Sequence, residues 1–287
     1  MKHGIIDIGS NSVRLSIFAD GTVIFRDKIT PRLAQGLTAE GGLDKESFSR
    51  TVKAVVTLVD RALGYGVDRE GVLLFATAAV RQAKNGADFC AEIWEITGLS
   101  VDVLTEDEEA EVAFLGAIDG PEGAVLDLGG ASCELVVKDG GQMVFCHSLD
   151  QGAVKLTDRF HDDTDGLDAY LDQKLKEFSA ARVDSLVAVG GTPTSIAYVL
   201  SGENVFDPKI NHGKPIEKMA LADLLSKLKA VAPEKRGDYL GVDARRGETL
   251  LCGGYFLYKI MDFLRLEQIT VSEKDNLDGY YLLKTRF

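Results

Sequence analysis

The sequence has little of what membrane proteins, disulfide-stabilised proteins and zinc proteins require. None of its apolar runs approaches the ~20 residues of a membrane span. The first residues lead directly into a strand-like segment instead of a signal peptide. The four cysteines form no CxxC pair, and the four histidines lack metal-ligand spacing. We therefore expect a cytoplasmic protein with reduced cysteines and no metal centre of the histidine–cysteine type.

Basic charge is scarce as well. The chain has 45 acidic and 32 basic residues among 287, a net charge of −13. Nucleic acids and anionic membranes bind to basic faces, so we expect no DNA, RNA or membrane partner. A phosphate ligand remains compatible with this charge, because a nest of backbone N–H groups can hold an anion locally.

Strands and helices alternate along the chain. In the first half, strands are predicted over residues 5–8, 13–18, 22–29, 72–76 and 101–104, and helices over 44–63 and 86–97. In the second half, strands are predicted over residues 124–128, 134–138, 142–148, 185–189 and 269–272, and helices over 152–160, 165–180, 192–200, 216–229 and 243–264. This alternation is typical of an α/β fold.

The second half repeats the start of the first. DIGSNSVRLSI at residues 7–17 aligns with DLGGASCELVV at residues 127–137, with aspartate, glycine, serine and leucine in register. Each copy opens a βββαβ pattern, which indicates an internal duplication. We predict two related domains, residues 1–120 and 121–287, facing each other across a cleft that one turn from each domain lines.

The two repeated turns are the candidate phosphate sites. Their glycines allow close backbone approach, and their amides and hydroxyls can donate to phosphate. The residues concerned are Gly9, Ser10, Asn11, Ser12 and Arg14 in the first copy, and Gly129, Gly130 and Ser132 in the second. Asp7 and Asp127 end the preceding strands, where a hard cation such as Mg²⁺ would reconcile them with phosphate. One copy alone would favour an ordinary turn with an Asx hydrogen bond, but the pair favours a phosphate site.

A third glycine-rich segment joins a strand to a helix. Thr192 is a natural N-cap and Pro193 a natural first helical residue, with the positive helix end facing an anion. Ordinary capping explains Thr192 and Pro193 equally well, but it leaves Gly190 and Gly191 unexplained. Both interpretations stay open.

An acidic segment starts the helix before the junction of the two halves. Thr105 and Glu108 form a capping box, which gives Glu108 a structural role. Glu109 is needed for neither the cap nor the helix dipole, so it is a candidate for orienting or deprotonating a water molecule. A solvated acidic helix start is the alternative.

These motifs resemble the exopolyphosphatase/guanosine pentaphosphate phosphohydrolase (Ppx/GppA) family of the actin–Hsp70–sugar kinase superfamily. DIGSNSVRL at residues 7–15 resembles its opening phosphate loop, and ATAAVRQAKNG at residues 76–86 resembles its Ala-Thr-x-Ala-x-Arg-x-Ala-x-Asn segment. EEA at residues 108–110 resembles its catalytic helix, and DLGGASCE at residues 127–134 its second phosphate loop. The resemblance covers nearly the whole chain, in the short form without the HD-type domain of larger members.

The resemblance implies two ribonuclease H-like (actin-like ATPase) domains. It implies release of terminal phosphate from inorganic polyphosphate or guanosine pentaphosphate, with Mg²⁺ as cofactor. It implies Glu109 as the base, and Asp127 and Glu134 as metal ligands. The implied substrate-binding residues are Asp7, Gly9, Ser10, Asn11, Ser12, Arg14, Arg81, Gly129, Gly130, Ser132, Gly190, Gly191 and Thr192.

The chain also departs from the family pattern. The second loop has Ala131 and Cys133 where Gly-Gly-Gly-Ser-Thr-Glu is usual, Glu111 adds negative charge, and DNLDG at residues 275–279 lacks the arginine of Gly-Leu-Arg-Glu-Gly. These departures support an alternative, a sensor that binds a phosphorylated nucleotide with weak or no hydrolysis. A nucleotide-dependent kinase or ATPase of the same superfamily is a further alternative. A homodimer is expected only because symmetric dimers are common.

Overall fold

The computed structural model describes residues 1–35, 41–118, 120–203, 207–242 and 244–285, with the side chains of residues 209 and 245 excepted. It divides into two compact units, Met1–Gly116 with Asn276–Phe287, and Ala117–Asp275. The end of the chain thus groups with the first unit, a grouping that the sequence does not predict. The division into two related domains, residues 1–120 and 121–287, stays a prediction. Among the described residues, no helix has the length and apolar character of a membrane span.

The elements follow each other in mixed order. The strands are β1 (Lys2–Ile8), β2 (Val13–Ala19), β3 (Thr22–Ile29), β4 (Val72–Ala76), β5 (Val101–Val103), β6 (Gly123–Leu128), β7 (Cys133–Asp139), β8 (Gln142–Leu149), β9 (Val187–Val189), β10 (Pro215–Glu217) and β11 (Gln268–Val271). The helices are α1 (Lys45–Gly64), α2 (Ala78–Gln82), α3 (Gly86–Thr97), α4 (Glu106–Ala117), α5 (Ala153–Phe160), α6 (Thr164–Lys174), α7 (Gly191–Ser201), α8 (Pro208–Asn211), α9 (Lys218–Lys229), α10 (Arg236–Leu240), α11 (Ala244–Phe263) and α12 (Asn276–Thr285).

The first unit contains a five-stranded sheet in the order β3-β2-β1-β4-β5. β1 is antiparallel to β2 and parallel to β4, which in turn is parallel to β5. Ile8, Ala76 and Val103 lie level with each other at the carboxyl ends of the three parallel strands. The segments that follow these strands therefore all leave from one edge of the sheet.

The second unit contains a six-stranded sheet in the order β10-β11-β9-β6-β7-β8. From β8 inwards it repeats the order of the first sheet, and β10 adds one antiparallel strand at the far edge. β6, β9 and β11 are parallel, and Asp127 lies level with Val189. The predicted α/β fold with two related halves is confirmed by this repeated topology.

Apolar packing on both faces explains why β1 is buried along most of its length. Val55 of α1 packs in the cluster that covers Ile6 on one face of the first sheet. On the other face, Phe75 clusters with Val112 of α4 and Leu277 of α12. Each fully buried side chain of this size contributes about 1.5–3 kcal/mol. α4 and α12 are therefore held on the same face of this sheet.

Most predicted elements are confirmed to within a few residues, and α3 matches its predicted range 86–97. The helix predicted from residue 216 is wrong at its start, because Pro215–Glu217 pairs with β11 as a strand. α12 was not predicted. Its buried residues are consecutive, from Leu277 to Tyr280, so they produce no helical stripe in the sequence.

Candidate active site

The two repeated turns have the same backbone geometry. Gly9 N donates to Ser12 O at 3.1 Å, and Gly129 N donates to Ser132 O at 3.1 Å. A Cβ on Gly9 would stand 3.2 Å from Ser12 O, so the glycine allows the chain to turn this tightly. The sequence repeat is therefore also a repeat of turn structure.

The carbonyl groups of the first turn accept hydrogen bonds from the segment that follows β3. Ala34 N donates to Ser10 O at 2.8 Å, and Arg32 N donates to Asn11 O at 2.9 Å. Within the described part of the chain, no group accepts a hydrogen bond from the backbone N–H of Ser10 or Asn11. The turn therefore keeps amide donors available for an anion, as a phosphate nest requires.

The second turn is braced in a corresponding way by the start of α5. Ala153 N donates to Gly129 O at 3.0 Å, and Val154 N donates to Gly130 O at 2.9 Å. The N–H groups of Gly130 and Ala131 have no acceptor among the residues that the structure describes. Both predicted turns thus present free amides, with Ser10, Asn11, Gly130 and Ala131 exposed.

A row of side chains crosses the first sheet beside its turn. Asp7, Arg14 and Lys28 are directly opposite each other on β1, β2 and β3, so they share one face. Asp7 is 4% exposed, and Arg14 Nε donates to its Oδ2 at 2.9 Å. Arg14 therefore neutralises Asp7, and this row combines one carboxylate with two cations.

The corresponding row of the second sheet has the opposite charge. Asp127, Glu134 and Ser148 are directly opposite each other on β6, β7 and β8. Ser148 Oγ donates to Glu134 Oε1 at 2.7 Å. Burial raises the pKa of Glu134, although hydrogen bonds from Ser148 and Ser132 work in the other direction. Two carboxylates therefore lie on one face where the first unit has an ion pair.

The first glycine after β9 lies directly against Asp127. Gly190 has φ +102°, and a Cβ there would stand 2.5 Å from Leu128 O and 3.1 Å from Asp127 Oδ1. Only glycine fits this backbone approach. Gly190 thus brings the N-terminus of α7 next to the Asp127 carboxylate.

The prediction that Thr192 caps this helix is wrong. Gly190 is the N-cap, and Thr192 is the second residue of α7. The Thr192 side chain is buried, with its Oγ1 2.8 Å from where a Cβ on Gly253 of α11 would lie. The close approach of Gly190 to β6 moves the start of the helix back by two residues. Ordinary capping by Thr192 is thereby excluded.

The start of α4 contains the predicted capping box and the candidate base. Thr105 N donates to Glu108 Oε2 at 2.8 Å, and Glu108 N donates to Thr105 Oγ1 at 3.2 Å, which confirms the box. Glu109 is half-buried, and Arg81 Nη1 donates to its Oε2 at 2.8 Å and to Leu104 O at 2.7 Å. Arg81 therefore fixes the orientation of the Glu109 carboxylate.

Each unit collects its candidate residues at the carboxyl edge of its parallel strands. In the first unit the turn at Gly9 follows β1, Arg81 follows β4, and Glu109 follows β5. In the second unit the turn at Gly129 follows β6 and Gly190 follows β9. Ligands of open α/β sheets bind at this edge, so the placement supports two anion-binding edges.

Two further residues also belong to these edges. Arg32, beside the first turn, has φ +57° and an exposed side chain, a conformation that is uncommon outside glycine. In the second unit, buried Asn211 donates from Nδ2 to Thr194 O at 3.0 Å and thereby braces the first turn of α7. Arg32 forms no recognisable local motif, whereas Asn211 stands in the segment NHG at residues 211–213, which resembles the family pattern.

The carboxylate row of the second unit fits a magnesium ion. Within the described ranges, no group of three or more His, Cys, Asp or Glu side chains is arranged to hold a metal ion. Mg²⁺ does not need one, because it is usually held by one or two carboxylates together with water and substrate phosphates. Asp127 and Glu134 supply two such oxygen donors, and a cation would offset the cost of burying Glu134 in its charged form.

Comparison with known proteins identifies the family of the chain. A model of the Ppx/GppA phosphatase family matches residues 14–279. Exopolyphosphatase 2 of Mycobacterium tuberculosis is 28% identical over an alignment 310 residues long, gaps included. The alignment covers 96% of each protein. A bifunctional 3-dehydroquinate synthase/phosphatase of Fusobacterium nucleatum is 25% identical, covering 96% of this chain and 46% of that protein.

Structural comparison gives the same result. The crystal structure of the Aquifex aeolicus member of the Ppx/GppA family superposes with a TM-score of 0.88 and 26% sequence identity. The superposition covers 100% of this chain and 98% of that chain. The fold and the family match thus agree over almost the whole length. The chain belongs to the Ppx/GppA phosphatase family and is an exopolyphosphatase-like phosphoanhydride hydrolase.

Proposed function

We propose that the protein releases terminal orthophosphate from inorganic polyphosphate or from guanosine pentaphosphate, using a water molecule oriented by Glu109. One observation carries the proposal. In the first unit, a turn with free amides, an arginine and a fixed carboxylate leave from the same edge of one sheet. Phosphoryl transfer needs mainly positioning and charge stabilisation, and these groups supply both.

The residues have separate tasks in this reaction. The free amides of each turn bind phosphate oxygens, and Arg14, whose side chain is 30% exposed, neutralises Asp7 and so removes its repulsion of phosphate at the first turn. Glu109 accepts a hydrogen bond from the attacking water and holds it in line. The water oxygen bonds to the terminal phosphorus as Glu109 takes its proton, the bridging P–O bond breaks, and the shortened chain leaves with the bond electrons. One water is consumed and one orthophosphate is released.

Mg²⁺ is part of the proposal, with Asp127 and Glu134 as its protein ligands. When bound, the ion would supply positive charge against phosphate oxygens. Gly190 lies against Asp127 at this edge, and a larger residue there would collide with Leu128 O. A cytoplasmic location, the absence of nucleic acid partners and a homodimer remain expectations from the sequence.

The decisive experiment measures phosphate release from short polyphosphate, long polyphosphate and guanosine pentaphosphate, each with and without Mg²⁺. We expect release that requires Mg²⁺ from at least one of the three substrates. Tight binding without release would instead identify a phosphate sensor. Transfer of phosphate to a sugar would identify a kinase of the same superfamily.

Ala131 offers a separate test of the second turn. Its methyl group is exposed beside free amides, at a position where the family pattern has glycine. We expect Ala131→Gly to lower KM for the preferred substrate about threefold, because phosphate can approach the backbone more closely. Steady-state kinetics measures the change. An unaltered KM and kcat would show that the methyl group does not crowd the ligand.

A further inference from the structure

The C-terminal helix α12 meets α4 at a glycine. A Cβ on Gly279 would overlap the carbonyl oxygen of Val112 and stand 2.8 Å from Gly116 N. These are backbone atoms of α4, which cannot rotate away as a flexible side chain can. The two helices therefore touch backbone to backbone at Gly279.

The neighbours of Gly279 fix α12 to the first sheet. Arg26 Nη2 donates to Asp278 Oδ2 at 2.7 Å, and Asp278 is 6% exposed. Tyr280 Oη donates to Asp102 Oδ2 at 2.9 Å, and its ring stacks on Phe75 with the centroids 4.5 Å apart. Because α12 is held from both sides of Gly279, it is a rigid support for whatever rests on it.

The α4 residue that contacts Gly279 is Val112, which lies one helical turn from the candidate base. Val112 is fully buried and is three positions after Glu109 in the same helix. A shift of α4 at Val112 therefore moves the Glu109 carboxylate and its hydrogen bond to Arg81. Displacements of about 1 Å can cost a catalytic group about a hundredfold in rate.

We propose that Gly279 is a positioning residue that sets the location of α4, and through it the orientation of Glu109. The inference rests on the proposed function, since it assumes that Glu109 orients the attacking water. It also assigns a role to the DNLDG segment, whose glycine is required although its arginine is missing. α12 thus acts on catalysis without touching substrate.

The test compares Gly279→Ala with Gly71→Ala. A Cβ on Gly71 would also meet a backbone atom of the first unit, Lys2 O, at 2.8 Å, but it lies at the opposite edge of the sheet. Alanine favours helix over glycine, so harm from Gly279→Ala must come from the contact with α4. Hydrogen exchange of α4 amides, Tm, kcat and KM are measured for both variants.

We expect Gly279→Ala to speed hydrogen exchange in α4 and to lower kcat about 10- to 100-fold, with KM within about twofold of wild type. Gly71→Ala should lower Tm while leaving kcat within about twofold. If Gly279→Ala does not fold, Tyr280→Phe provides a milder loosening of α12, with faster exchange in α4 and a smaller loss of kcat. Unchanged exchange in α4, or an equal loss of kcat in both glycine variants, would overturn the inference.

Failure of the proposed function has a different signature. It would appear as wild-type protein that releases no phosphate, or as full activity of the Glu109→Gln variant. The exchange measurements on α4 would still report the contact in that case. The two hypotheses can therefore fail separately.

Discussion

Replacing Glu109 by glutamine is expected to lower kcat for phosphate release about 10²–10⁴-fold while substrate binding is retained. Glutamine has the same shape and can still accept the hydrogen bond that Arg81 Nη1 donates to Oε2 at 2.8 Å in the wild type. It cannot take a proton from water, and it orients water less strongly than a carboxylate. Phosphate release under saturating substrate measures kcat, and calorimetric titration measures binding.

Glu108→Gln is the matched control for this substitution. It removes the same charge from the same helix turn, but Glu108 serves the capping box, where glutamine is also suitable. We expect this variant to keep wild-type turnover. Equal losses in the two variants would mean that negative charge at the start of α4 matters instead of the Glu109 carboxylate, and undiminished turnover in Glu109→Gln would exclude Glu109 as the base.

Removing either carboxylate of the second row is expected to abolish stabilisation by Mg²⁺ and to lower kcat/KM about 10²-fold, equivalent to about 3 kcal/mol. Asp127→Asn and Glu134→Gln each leave one charged oxygen ligand where the wild type has two. Thermal unfolding with and without Mg²⁺ measures the stabilisation independently of activity. If Mg²⁺ stabilised either variant as much as the wild type, the metal site would have to lie elsewhere in the protein.

The carboxylate row of Asp127 and Glu134 also predicts that stabilisation by Mg²⁺ depends on pH. Burial raises the pKa of Glu134, so the folded protein holds this proton more tightly than the unfolded chain. Without metal, the contribution of Glu134 to stability is full below the ordinary glutamate pKa and is lost as pH rises through the raised pKa. Mg²⁺ competes with that proton, so the increase in Tm caused by Mg²⁺ should grow with pH over this window.

Glu177→Gln provides the control for charge alone. Glu177 lies on the second unit, where Lys174 Nζ donates to it at 3.2 Å and His147 Nε2 lies 2.9 Å away. His147 precedes Ser148 on β8 and so faces the other side of the sheet. Removing this charge should change neither the increase in Tm caused by Mg²⁺ nor the pH dependence of that increase. A loss in this variant equal to that in Glu134→Gln would indicate a general electrostatic effect.

The parts of the site that could be predicted are those encoded by neighbouring residues. The Gly-Ser turns, the capping box of Thr105 and Glu108, and the duplicated βββαβ pattern each depend on residues close together in sequence. Local backbone preferences and hydrogen bonds decide such features before any long-range packing. For the same reason Glu109 could be singled out as the carboxylate that the local structure does not need.

Pairings between distant residues could not be predicted. The ion pair of Arg81 with Glu109 requires β4 and β5 to lie side by side. The true cap of α7 was missed because the position of Gly190 depends on β6 next to it.

By itself, the sequence determined that the chain is a duplicated α/β protein with two Gly-Ser turns, and it identified the family. Only the tertiary structure decided which charges lie beside the turn of each copy. Cross-strand pairing placed an arginine opposite Asp7 in one unit and a glutamate opposite Asp127 in the other, so similar turns acquired opposite local charge. It also placed Gly279 against Val112, because packing of helices on a sheet depends on contacts between segments far apart in the chain.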